Sequence, residues 1–106
     1  MRRVLPRRRA AETFDMRFWN QPFTVTVGFY ADGTAGEVFI DGRKAGTDIE
    51  SIARDAGVLL SLALQHGVPP KTIRHAVTRG VSEEPASILG AVVEALPNPF
   101  PPKGAV

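Results

Sequence analysis

Cysteine is absent from this 106-residue chain, which removes disulfide frameworks, thiolate metal sites and thiol nucleophiles in one step. Histidine is scarce. His66 and His75 fall on different predicted helices with no second histidine at ligand spacing, so no metal site is expected. No apolar run approaches the ~20 residues needed to span a bilayer, and the amino terminus carries charge without the apolar core of a secretion signal. A cytoplasmic protein with no membrane contact is therefore expected. The length excludes a multi-domain enzyme, while 43% hydrophobic residues are enough for a single core.

What the chain has is an uneven distribution of charge. Of 13 basic and 11 acidic residues, six arginines and only Glu12 and Asp15 fall within residues 1–17, which leaves seven basic and nine acidic residues in the rest. The net charge of +2 thus hides a basic arm on a mildly acidic body. Residues 1–11 have few side chains to bury and Pro6 breaks any helix begun before it, so they read as a flexible basic arm.

From Thr13 to Trp19 apolar and polar residues alternate, with Phe14, Met16 and Phe18 on one face. Asn20-Gln21-Pro22 supplies turn chemistry, and Phe23, Val25, Val27 and Phe29 define the buried face of a second strand. Asp32-Gly33 signals a hairpin into a third strand carrying Val38 and Ile40. Thr47 and Glu50 form a capping box for a long helix, with Ile49, Ile52, Ala53, Ala56, Leu59, Leu60, Ala63 and Leu64 as its apolar stripe and Gly67 and Pro69 as its stop. Pro69 and Pro70 suit the first turn of a short second helix with Ile73, Ala76 and Val77 inward, ending at Gly80. Ser82 is the expected N-cap of a third helix whose apolar face is Ile88, Leu89, Val92, Val93 and Leu96. Residues 97–106 read as a proline-rich disordered tail. A sheet with one apolar face needs a cover, so the expected fold is α+β: a three-stranded antiparallel meander packed by three helices in two layers, spanning residues 12–96.

The string GEVFIDGRKAGTDIESIARDAGVLLSLALQHGVP, with VTVGFYADG before it and LPRRRAAETF upstream, resembles a segment near the carboxyl end of adenosylcobalamin-dependent ribonucleotide reductases, the region often called TSCPD. The likeness covers roughly Leu5 to Arg79 and implies an ancillary domain, here free-standing. Reduction in that family uses a thiyl radical and a reducing cysteine pair. This chain has no cysteine and lacks the Thr-Ser-Cys-Pro-Asp motif, so it is expected to have no reductase activity of its own and to carry no cofactor.

Two places could meet a ligand. At the start of the long helix, Arg43 and Lys44 lie between Gly42 and the pair Gly46-Thr47, where free N–H groups and the helix dipole favour a phosphate. The loop is neither a Walker motif nor a dinucleotide fingerprint, and a strand-to-helix turn shaped only by backbone geometry explains it as well. In the arm, Arg2, Arg3, Arg7, Arg8 and Arg9 could neutralise nucleic-acid phosphates, with Trp19, Phe29 and Tyr30 as candidate stacking residues. A bland account puts Phe29 in the core and leaves Trp19 and Tyr30 on the open sheet face. Ser51 and Ser61 lack an adjacent base, Asp48 and Asp55 are solvated helix residues, and Glu50 and Arg54 form an exposed ion pair. The expected function is a non-catalytic module contacting nucleotide or nucleic-acid phosphates. The alternatives are an accessory subunit docking on a ribonucleotide reductase, or a structural homodimer joined through the exposed edges of a small sheet.

Overall fold

The computed structural model describes residues 1–42 and 46–96. Among them the chain runs β1 (Ala11–Phe18), β2 (Gln21–Phe29), β3 (Ala35–Gly42), α1 (Asp48–Gln65), α2 (Pro70–Ala76) and α3 (Ile88–Ala95). The strands form one antiparallel sheet in the order β1-β2-β3, as the alternating pattern predicts. Its inner face stacks Phe14, Val25 and Ile40 in one row across the strands, with Met16 beside Phe23 and Val27 beside Val38 in the neighbouring rows. Phe23, Val25, Val27, Phe29, Val38 and Ile40 are almost wholly buried, and Ala53, Leu60 and Leu64 of α1 and Ile88, Val92 and Val93 of α3 close over them. The expected two-layer α+β fold is the one present.

The turns depart from the sequence reading in instructive ways. The first hairpin turns on Trp19-Asn20, with φ of 52° and 60°, and Phe18 pairs directly with Gln21. Two consecutive left-handed residues make the two-residue turn whose twist matches the flanking strands. Gln21 and Pro22 therefore belong to β2. Pro22 is tolerated because the ladder to β3 reaches only as far as Phe23. The third helix begins at Ile88, where Ser87 Oγ accepts from Gly90 N at 3.1 Å, and not after Ser82. Residues 79–86 form an irregular loop instead. Arg79 bridges Pro85, Ala86 N donates to Thr78 O, and the Arg79 guanidinium holds Glu83 O, Arg74 O and Glu94. The second helix ends at Ala76, which is exposed, and Gly80 lies within the loop. The proline-rich tail from 97 onward lies outside the described residues.

Helix α1 starts as the capping box requires, with Thr47 Oγ1 accepting from Glu50 N at 3.1 Å. Its phase is narrower than the stripe read from sequence. Ala53, Gly57, Leu60 and Leu64 face the sheet, whereas Ile52 and Leu59 are about two-thirds exposed and Ile49 is also exposed. Gly57 sets how close the helix can come, since a Cβ there would lie 2.9 Å from Val38 O. Ser61 uses that proximity. Val38 N donates to Ser61 Oγ at 2.7 Å, and the Ser61 hydroxyl lies 3.1 Å from Val38 O and 2.8 Å from Gly57 O. Gln65 Nε2 donates to Gly36 O at 2.9 Å. Two side chains of the helix thus satisfy outward backbone groups of the edge strand, which blunts β3 as a site for strand pairing.

Replacing Leu60 with alanine should cost about 2–5 kcal/mol by leaving a cavity between α1 and the sheet. Ser61→Ala should cost about 1–3 kcal/mol although it removes one oxygen, because the Val38 backbone groups lose their partner. Urea titrations of the two variants check both, and an unchanged midpoint for Ser61→Ala would show that water replaces the hydroxyl.

Candidate functional site

The loop into α1 is only partly described, since Arg43 and Lys44 lie outside the described residues. Gly46 has a φ of 81° and Thr47 is extended, as an N-cap residue is. Among the described residues around them the carboxylates Asp48 and Glu50 stand nearest in sequence. Asp48 and Glu50 occupy the first turn, and Glu50, with its side chain only 12% exposed, pairs with Arg54 at 2.9 Å. Two carboxylates already complement the helix dipole. A small cavity of about 260 Å³ opens here, lined by Pro22, Phe23, Gly42, Thr47, Ile49 and Glu50.

The arm is laid against the body through specific contacts. Arg2 Nε donates to Gln65 Oε1 at 2.5 Å, and Arg3 N donates to Gln65 O at 2.7 Å. Tyr30 OH donates to Arg3 O at 2.7 Å, while the Arg3 guanidinium stacks 3.8 Å over the Tyr30 ring and reaches Asp32 at 3.2 Å. Arg9 pairs with Glu37 and donates to Pro6 O. A Cβ at position 36 would lie 2.5 Å from the Tyr30 ring and 2.7 Å from Leu5, so Gly36 makes the room in which arm and ring meet. Tyr30 is consequently buried, at 5% exposure, and not on the open sheet face. Trp19 is exposed and tilted against Phe18, and Phe29 is in the core. Of the five arm arginines, Arg2, Arg3 and Arg9 hold internal partners, while Arg7 and Arg8 point into solvent with no partner among the described residues.

A further concavity is not signalled by any sequence motif. A groove of about 530 Å³ runs between α1 and β3, with Phe39, Val58 and Leu62 as exposed apolar walls and Arg2, Arg54, Glu37 and Asp41 around them. The legible signal was α1 itself, which carries large apolar residues around most of its circumference, a pattern of helices covered on several sides. Among the described residues no group of three His, Cys, Asp or Glu is placed to hold a metal, and no helix is long and apolar enough to cross a membrane. Ser61, with its hydroxyl spent on the backbone, is not placed as a nucleophile.

A profile of the TSCPD domain matches residues 2–98. The chain belongs to the TSCPD domain family. It is similar to vitamin B12-dependent ribonucleotide reductases: 38% identical over 72 residues to that of Rhodopirellula baltica, 34% over 68 residues to that of Agrobacterium fabrum and 35% over 68 residues to that of Bradyrhizobium diazoefficiens. These alignments cover 68%, 64% and 64% of this chain but only 7%, 5% and 5% of the reductases. No solved structure was found to match.

Asp32 anchors the arm and the β2–β3 turn together. The Thr34 hydroxyl at 2.6 Å, the Thr34 N–H at 2.9 Å and then Arg3 hold its carboxyl down at about 2. A carboxylate whose folded pKa is depressed contributes stability above its unfolded pKa and loses it as pH falls toward the folded value. Asp32→Asn should therefore destabilise the domain at pH 7, and the gap from the parent should close between about pH 4 and pH 2. Thermal melts across that range check it, and no gap at pH 7 would mean that the turn needs only an oxygen acceptor, which asparagine keeps.

Proposed function

We propose that this TSCPD protein is a non-catalytic accessory module that docks on a vitamin B12-dependent ribonucleotide reductase. The observation that carries the reading is the match of about two-thirds of the chain to a segment making up only 5–7% of those enzymes. A segment that small adds a surface to a larger protein. The groove between α1 and β3 supports the same reading, because an apolar floor ringed by charges of both signs suits a protein surface better than a phosphate. Val58→Asp with Leu62→Asp should abolish co-migration with the purified reductase of the same organism in size-exclusion chromatography while the circular dichroism spectrum stays unchanged. No co-migration of the parent protein at any concentration tested would sink the proposal. The module alone should form no deoxyribonucleotide even with adenosylcobalamin and a dithiol supplied.

A second reading, contact with nucleotide or nucleic-acid phosphates, is favoured by the exposed pair Arg7 and Arg8, with Arg43 and Lys44 as candidates outside the described residues. Internal pairing of Arg2, Arg3 and Arg9 sets its size. With two arm arginines free, log affinity for duplex DNA should fall against log salt with a slope of about −2, whereas five would give about −4 to −5. Arg7→Ala with Arg8→Ala should flatten that slope in a filter-binding salt series, and equal binding by parent and variant would remove the arm as a phosphate contact.

A further inference from the structure

Three concavities meet at Gln65. It lines the groove between α1 and β3, a cavity of about 400 Å³ at the turn from α1 into α2, and one of about 360 Å³ between the arm and Glu37. The arm lines all three as well, through Arg2 in the groove, Arg3 at the turn, and Arg2, Leu5 and Arg9 in the third. The first residues of the chain thus lie across one trough and divide it. They take no part in the core. None of the core side chains comes from the arm, and Leu5 alone among residues 1–10 is even partly buried.

We infer that residues 1–8 are a displaceable strap, which lifts from an intact core and, in lifting, joins the three concavities into one trough for the docking partner. The inference rests on the docking reading for the partner, and on the arm's own contacts for the motion. Those contacts are shallow. The Arg3 N–H on Gln65 O, the Tyr30 hydroxyl on Arg3 O and the Arg2 guanidinium on Gln65 Oε1 hold the strap, with an Arg3–Asp32 pair about half exposed on both sides. Water can take over each of these hydrogen bonds, and an exposed ion pair contributes little and is screened by salt. The hinge lies further along. Arg9 pairs with Glu37 in a more sheltered place, and the sheet begins where Phe29 N donates to Ala10 O, so the ladder stays whole when the residues before them lift. The vacated seat fixes the chemistry of what replaces the strap. Gln65 Oε1, Gln65 O and the Asp32 carboxylate are acceptors beside the face of the Tyr30 ring, so the partner segment that takes the seat carries an arginine or lysine.

Tyr30 reads the strap directly, because it is the chain's only tyrosine, is covered by the arm, and has no cysteine to compete with it for a nitrating reagent. In the full chain, nitration of Tyr30 by tetranitromethane should be nearly independent of urea below the unfolding transition, as for an opening that exposes little surface. It should also speed up several-fold between about 20 mM and about 500 mM salt. Arg3→Ala with Leu5→Ala should nitrate about tenfold faster than the parent at low salt while the circular dichroism spectrum stays unchanged, as expected of a strap closed about nine-tenths of the time and freed by the substitutions. Nitration that climbs with urea as steeply as global unfolding would overturn the inference without any variant, since the arm would then open only with the core. Co-migration with the reductase tests the gating. The double variant should bind up to about tenfold tighter than the parent, because it no longer has to displace the strap. Equal or weaker binding by the variant would overturn the gating, whereas no binding by either form would sink the docking reading and leave the strap to be decided by Tyr30.

Discussion

The contact between α1 and the edge strand β3 is the constraint on which the rest of the molecule depends. Gly57 lets the helix backbone come within reach of Val38, and only at that distance can Ser61 share its hydroxyl with both Val38 backbone groups. The same approach carries Gln65 to Gly36, and Gln65 then offers its other amide atom to Arg2 and its carbonyl to the Arg3 N–H. One helix thus completes a strand edge and provides the seat for the arm. The arm in turn covers Tyr30, whose hydroxyl would otherwise lack its partner, Arg3 O.

Arginines clustered in sequence are easily read as a phosphate-binding arm, because six positive charges near one end look unneutralised. In three dimensions the neutralising groups come from elsewhere. Glu37 and Asp32 lie on and before β3, and Gln65 closes α1. Exposed ion pairs of this kind contribute little each, but here they fix where the arm lies and leave Arg7 and Arg8 as its outward charges. Charge that holds the arm in place is charge withdrawn from a ligand.

What could be read from the sequence follows from how local each signal is. The period of two in β1 and β2, the Asp32-Gly33 hairpin and the Thr47 cap involve neighbours within a few residues, and all stand where expected. The first turn sits on Trp19-Asn20 and not on Asn20-Gln21-Pro22, where Pro22 is the louder turn signal although a strand end tolerates it. Ser82 and Ser87 both fit an N-cap, and the choice between them rests on Arg79, which gathers the intervening loop from three directions. The phase of α1 was blurred for another reason. With Ile49, Ile52, Val58, Leu59 and Leu62 all apolar, no single stripe stands out, and only contact with the sheet reveals that Ala53, Gly57, Leu60 and Leu64 face it. The seats of the arm and the groove were illegible because they join residues more than a dozen apart in sequence.

The outward apolar residues of α1 are the feature that a simple cover for the sheet does not need. An 18-residue helix needs one face to cover a three-stranded sheet, and the remaining circumference would ordinarily be polar. Here it divides into two apolar faces on opposite flanks of the sheet-facing side, Val58 and Leu62 toward Phe39 and Ile52 and Leu59 away from it. In the N-terminal half the exposed Ser51 and Asp55 part them.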